Sequence, residues 1–168
     1  MDTNTATKRS GRILVMGLGN RVMTDDAAGL VALEQLRGGY ELPETVDLLD
    51  GGTLGLDLLG YMEGYGRILI ADCLASGRPA GKVVRVEGEE IETVFERCLS
   101  PHQMGLKDLI AVLRLQGRMP GEMTVIGVEG RDIDLGLELS EPVAAAMGKV
   151  VGEMVAVLGE WGVPVRRR

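Results

Sequence analysis

Asp26, Asp72 and His102 are the residues of this sequence with the most chemical potential, because two carboxylates and an imidazole make a three-ligand divalent-metal site with open positions. Nickel, zinc, iron or cobalt are all acceptable to such a donor set. His102 is the only histidine in the chain. A ligand needs partners to orient it, and Asn20, Asp25 or Gln103 can serve. Asp50, in the run Asp50-Gly51-Gly52-Thr53, is a further carboxylate that can act as a general base or orient a ligand. Each of these residues also has a purely structural reading. An Asp at a helix start complements the dipole, an Asp after a strand forms turns, and a lone His is often only hydrogen-bonded.

What favours chemistry is the placement these residues receive from their neighbours. Arg12–Gly17 (RILVMG) is a short apolar run of the kind that forms a strand buried on both faces. Thr45–Leu49, Arg67–Ala71, Lys82–Val86 and Thr124–Val128 read as four more strands. Helical spacing appears over Asp26–Arg37, closed by Gly38-Gly39, and over Leu106–Leu115, where Leu106, Leu109, Ile110 and Leu113 share a face. Glu89–Leu99 and Thr53–Glu63 read as shorter helices, and Ser140 as the cap of a long one from Glu141 to about Trp161. Strands alternating with helices predict an α/β three-layer sandwich, a mostly parallel five-stranded twisted sheet with helices on both faces.

In that frame Asp26 opens the first helix, Asp50 follows the second strand, Asp72 closes the third, and His102 lies in a loop after Ser100-Pro101. Ligands of open α/β sheets gather at the carboxyl ends of the strands. If the first and third strands are neighbours, Asp26 and Asp72 face each other across the point where the strand order reverses.

Other chemistries fit less well. Gly17-Leu18-Gly19-Asn20-Arg21-Val22 lacks the third glycine of a dinucleotide-binding turn, and Asp25-Asp26 puts fixed negative charge where a pyrophosphate would sit. No G-x-S-x-G elbow surrounds Ser100. Cys73 reads as a small buried residue, and Cys73 with Cys98 matches neither a zinc spacing nor a disulfide framework.

Composition sets the outer bounds. The 168 residues predict one domain over 12–168 after a flexible N-terminal tail, 1–11. Lys and Arg number 18 against 25 Asp and Glu, a net charge of −7, which excludes a duplex-binding surface. Aromatics are 3%, too few for a single-strand stacking platform. The terminal Arg166-Arg167-Arg168 reads as a solvated tail. No apolar run approaches the ~18 residues of a membrane span, and no signal-peptide pattern precedes Arg12, so a cytoplasmic protein is expected.

Taken in order, Gly17-x-Gly19-Asn20, Asp25-Asp26-x-x-Gly29, Leu49-Asp50-Gly51-Gly52-Thr53, Ile70-Ala71-Asp72 and Ser100-Pro101-His102-Gln103 resemble the hydrogenase maturation endopeptidases. The resemblance runs from about Arg12 to Trp161. It implies a monomeric α/β protease that removes a C-terminal extension from the [NiFe] hydrogenase large-subunit precursor once nickel is in place. The nickel is recognised in the substrate precursor, and no permanently bound organic cofactor, nucleic acid or membrane partner is expected. By position the resemblance assigns metal contact to Asp26, Asp72 and His102, and activity to Asp50. Asp26 or Asp50 would then be the catalytic base of an aspartyl-type endopeptidase. One departure is Ala27, where the family often has glycine. Two rival functions on the same scaffold are a non-catalytic nickel-sensing chaperone and a metallopeptidase with a metal of its own.

Overall fold

The structure, a computed structural model, describes residues 9–97 and 101–168, and the side chains of all of these but 101–105. Its centre is a five-stranded sheet in the order β3-β1-β4-β6-β5, built from β1 (Ile13–Leu18), β3 (Val46–Gly52), β4 (Arg67–Leu74), β5 (Val83–Glu87) and β6 (Glu122–Glu129). β1 pairs in parallel with both β3 and β4, β4 pairs in parallel with β6, and only the edge strand β5 runs antiparallel. The expected α/β sandwich with a mostly parallel sheet is what forms. The first and third predicted strands, β1 and β4, are neighbours, as the site required.

β1 is buried along its whole length and β4 almost so, which is why both read as near-continuous apolar runs. Alternate residues serve opposite layers. Ile13, Val15, Leu69, Ala71, Cys73, Ile126 and Val128 pack under α1 (Ala28–Gly39) and α5 (Glu141–Glu160). Leu14, Met16, Leu18, Ile68, Ile70, Leu74 and Val125 face the other layer. That layer consists of α2 (Leu59–Met62), α3 (Glu90–Glu96) and α4 (Pro101–Leu115). The predicted stripe of α4 is buried there, with Leu106, Leu109, Ile110 and Leu113 each at most 2% exposed. α5 is long and apolar enough to cross a membrane by composition, yet Val143, Met147, Val150, Met154 and Val157 place one face of it in the core.

Several boundaries differ from the sequence expectation. α1 runs through Gly38 and Gly39 instead of stopping before them, because Tyr40 closes it with its N–H on the Leu36 carbonyl. A 3₁₀ turn, Thr24–Ala27, precedes α1, so Asp26 lies before the α-helix proper. Thr53–Glu63 forms a 3₁₀ turn, Gly55–Leu58, followed by the short α2. The Arg166–Arg168 run is not simply a solvated tail. Arg166–Arg167 is a strand, β7, antiparallel to β2 (Tyr40–Glu41), and Arg168 donates its N–H to the Gly39 carbonyl at 2.9 Å. Arg9 donates to the carbonyls of Gly60 and Glu63 and lies 5.1 Å from the centre of the Tyr65 ring.

Candidate active site

Three glycines set the first site turn through close backbone contacts. A Cβ on Gly29 would lie 2.3 Å from the Ala71 carbonyl oxygen and 2.4 Å from that of Leu18. A Cβ on Gly17 would lie 2.5 Å from the Gly29 oxygen. Gly19, at φ +132°, has room for nothing larger, since its Cβ would overlap the Asp26 carbonyl. These close approaches seat the start of α1 in the crevice between β1 and β4. The glycines thus do the packing work of a nucleotide-binding turn, while within this turn the Asp26 carboxylate accepts the Asn20 N–H.

Asp26 is 4% exposed, and its Oδ2 accepts the Asn20 backbone N–H at 3.0 Å. Asp72 is 1% exposed. It does not close its strand: β4 continues to Leu74, Asp72 stands opposite Gly127 of β6, and its Oδ1 accepts the Cys73 N–H at 2.8 Å. Alternation puts Asp72 in the row Ile68, Ile70, Leu74, the face covered by α4. The 3₁₀ turn carrying Asp26 packs against β4. Cys73 lies between the layers, fully buried, and burial pushes its thiol up, reinforced by the charges of Asp72, Asp26, Asp25 and Glu129. That thiol is therefore a poor nucleophile, consistent with a packing role.

His102 lies in the first turn of α4, not in a loop. Its side chain, with that of Gln103, is outside the described residues, as is Ser100 altogether. Among the described side chains no three His, Cys, Asp or Glu form a metal-holding group, so Asp26 and Asp72 are the expected ligands that can be placed.

Asp50 stands apart from this pair. It lies within β3, opposite Gly17, rather than after the strand. Its side chain is 44% exposed and accepts from Arg21 at 2.8 Å, while Arg21 also pairs with Glu34 at 2.6 Å. Gly52, at φ +48°, turns the chain out of β3 just beyond it.

Two buried carboxylates hold loops in place: Asp25, expected to orient a metal ligand, instead anchors the segment before α5, and Glu129 carries no role in the sequence reading. Asp25, fully buried, accepts from the backbone N–H groups of Arg131, Asp132 and Ser140 and from the Ser140 hydroxyl, all at 2.7–2.9 Å. Burial pushes its carboxyl up, but the hydrogen bonds from Asp132, Ser140 and Arg131 outweigh that and hold it below the usual carboxylate range. Ser140 precedes α5 as expected, yet its hydroxyl makes no capping bond; it donates to Asp25. Glu129, at the end of β6, accepts from Ser76 N–H and Oγ–H at 2.7 Å and from Gly77 N–H at 3.0 Å. It thereby fixes the turn after β4, beside a cleft of about 370 Å³ lined by Ser76, Arg78, Glu90, Thr93 and Arg97. The doubled Asp25-Asp26 was the visible signal for the first network; nothing local to Glu129 announces the second.

Comparison with known proteins agrees with this architecture. Residues 31–157 match the family model HycI, hydrogenase maturation protease. The hydrogenase 2 maturation protease of Escherichia coli is 38% identical over 153 residues, covering 90% of this chain and 93% of its own. HupD of Bradyrhizobium diazoefficiens, a hydrogenase expression/formation protein, is 34% identical over 96% of this chain and 85% of its own. The solved structure of the hydrogenase maturating endopeptidase HybD from E. coli superposes with a TM-score of 0.89 at 37% identity, covering 94% of this chain and 98% of that one. The [NiFe] hydrogenase maturation protease HybD from Thermococcus kodakarensis gives 0.72 at 35% identity, covering 87% and 98%. With the turn after β1 that carries Asp26 packed against the strand that carries Asp72, the chain belongs to the hydrogenase maturation protease family.

Proposed function

We propose that this protease removes the C-terminal extension of the [NiFe] hydrogenase large-subunit precursor after nickel insertion. The observation that carries the reading is the pair of buried carboxylates, Asp26 from the turn after β1 and Asp72 from β4. Two carboxylates brought to one edge of the sheet form a donor pair that suits a divalent cation. A divalent ion already seated in the substrate supplies that cation. Asp26, Asp72 and His102, carried on the first turn of α4, complete its coordination, so only the filled precursor gains the contact. This differential contact is the nickel gate. Once docked, the scissile peptide lies beside a water: Asp26 or Asp50 takes its proton as the oxygen adds to the peptide carbonyl, and returns that proton to the nitrogen as the C–N bond breaks, while the substrate's ion would stabilise negative charge on the carbonyl oxygen.

Intact-mass analysis of the precursor, incubated with this protein with and without nickel loaded, tests the reading. A C-terminal mass loss confined to the nickel-loaded sample is expected. A stable complex with no loss in either sample would make the protein an assembly chaperone instead. Loss in both samples would leave a peptidase and remove nickel from recognition. Stoichiometric metal in the purified protein, with activity lost on chelation, would point to a resident catalytic metal.

A further inference from the structure

We infer that the loop between β6 and α5, residues 131–139, is a preformed docking arm for the precursor, taking a segment that combines apolar and basic side chains. The inference rests on the functional reading above. Leu135 and Leu137 are 84% and 80% exposed, and Ile133 and Val22 beside them are exposed as well. Single exposed leucines are ordinary, but a cluster of large apolar residues next to a site marks an interaction surface.

The arm is rigid, and the leucines are not what makes it so. Both ends are tied to the buried Asp25 carboxylate, through Arg131 and Asp132 at one end and Ser140 at the other. Its middle is pinned to the turn after β1. Thr24 donates its hydroxyl to the Asp132 carbonyl and its N–H to the Gly136 carbonyl, and Gly136 donates to the Val22 carbonyl. A Cβ on Gly136 would meet the Thr24 methyl at 2.9 Å, so a larger residue there would displace that side chain. Because β4 separates β6 from β1, the arm reaches past the end of the strand bearing Asp72 to the turn bearing Asp26. An occupant of the arm is thereby held at a fixed place relative to both carboxylates. Prior ordering also removes much of the entropy cost of docking.

Charge selects the occupant. Between Arg131 and Glu141 the arm carries Asp132, Asp134, Glu138 and Glu141 against Arg131 alone, which itself pairs with Asp132 at 3.0 Å. A second copy of this acidic chain would bring like charges together, whereas a basic, apolar segment of another protein is complementary.

The test uses the full-length protein and nickel-loaded precursor. In the Leu135→Ser/Leu137→Ser variant the melting temperature should stay at the wild-type value, while KM for the precursor rises about tenfold or more and kcat falls far less. Asp134→Lys/Glu138→Lys, which keeps both leucines, should weaken precursor binding by a similar factor and reduce its salt dependence. It carries the test if the serine variant fails to fold. Wild-type KM in both variants would overturn the docking arm. So would a wild-type dimer, seen by sedimentation, that the serine variant dissociates. A wild-type protein that neither binds nor cuts the precursor would instead overturn the functional reading, and the arm with it.

Discussion

Ser140 gives Asp25 both its backbone N–H and its hydroxyl, each at 2.7 Å, across 115 residues of chain. These two hydrogen bonds tie the start of α5 to the turn that carries Asp26. Asp25→Asn should cost about 2–4 kcal/mol, because an amide cannot accept all four donors and one would be left unpaired. Ser140→Ala, which keeps the backbone donor, should cost only about 1 kcal/mol. The pH dependence has a definite sign. A carboxyl held below its usual range stabilises the fold above that range, and the contribution disappears as pH falls through the folded value. Thermal melts from neutral to acid pH should therefore show a steeper loss below about pH 4 in the wild type than in Asp25→Asn.

Gly29 is held by backbone on two sides, so the oxygens of Ala71 and Leu18 cannot give way to a methyl group. Gly29→Ala should cost about 3 kcal/mol or more and displace the 3₁₀ turn before α1. Gly148 in α5 makes the opposite case: it is helical, exposed and has nothing within 4 Å of an added Cβ. Gly148→Ala should raise stability by about 0.5–1 kcal/mol. Equal melting temperatures for the two variants would contradict the assigned packing.

At the opposite end of β3 from the site, Tyr65 donates its hydroxyl to Asp47 at 2.8 Å, and Asp47 also takes two bonds from Arg12. Burial, then the hydrogen bond and charge of Asp47, push the Tyr65 phenol up to about 12. Its contribution to stability is complete below the ordinary value of 10.0 and is lost as pH rises toward about 12. In an ultraviolet absorbance titration one phenol should ionise in that late window, and Tyr65→Phe should remove that step. A Tyr65 that titrates at its ordinary value would show that the Asp47 contact does not persist in solution.

Much of this arrangement is readable from residue order. Buried parallel strands reveal themselves as apolar runs, and the α4 stripe by its 3.6-residue period, so β1, α4 and most of β4 are legible in residue order. What failed was information carried between distant segments. Arg67–Ala71 looks complete as a strand, but pairing with β6 extends β4 past Asp72 to Leu74. Ser140 has the chemistry of a cap, but the bond its hydroxyl makes is to a tertiary partner, Asp25. Arg166 and Arg167 carry the charge of a solvated tail, and their backbone pairing depends on Tyr40 and Glu41 arriving beside them. Asp50 shows the same limit in function. Its motif is local, while its exposure and its bond to Arg21 are properties of the fold.

That difference between Asp26 and Asp50 makes their roles separable by kinetics. Asp26 is buried beside β4, whereas Asp50 is exposed and shares its Oδ2 with a guanidinium that Glu34 also holds. Asp26 sits on the turn packed against the strand that carries Asp72, whereas Asp50 lies apart from that pair against Arg21, so Asp26 is expected as the base and Asp50 as the group that positions Arg21. Asp26→Asn should lower cleavage of nickel-loaded precursor by about 10²–10⁴ with the melting temperature nearly unchanged. Asp50→Asn and Arg21→Ala should each lower it by about tenfold. Their double variant should be little worse than either, because the two side chains act as one unit. If Asp50→Asn proves as inactive as expected for Asp26→Asn while Arg21→Ala stays active, Asp50 is the base. Wild-type cleavage by Asp26→Asn would remove Asp26 from the chemistry altogether.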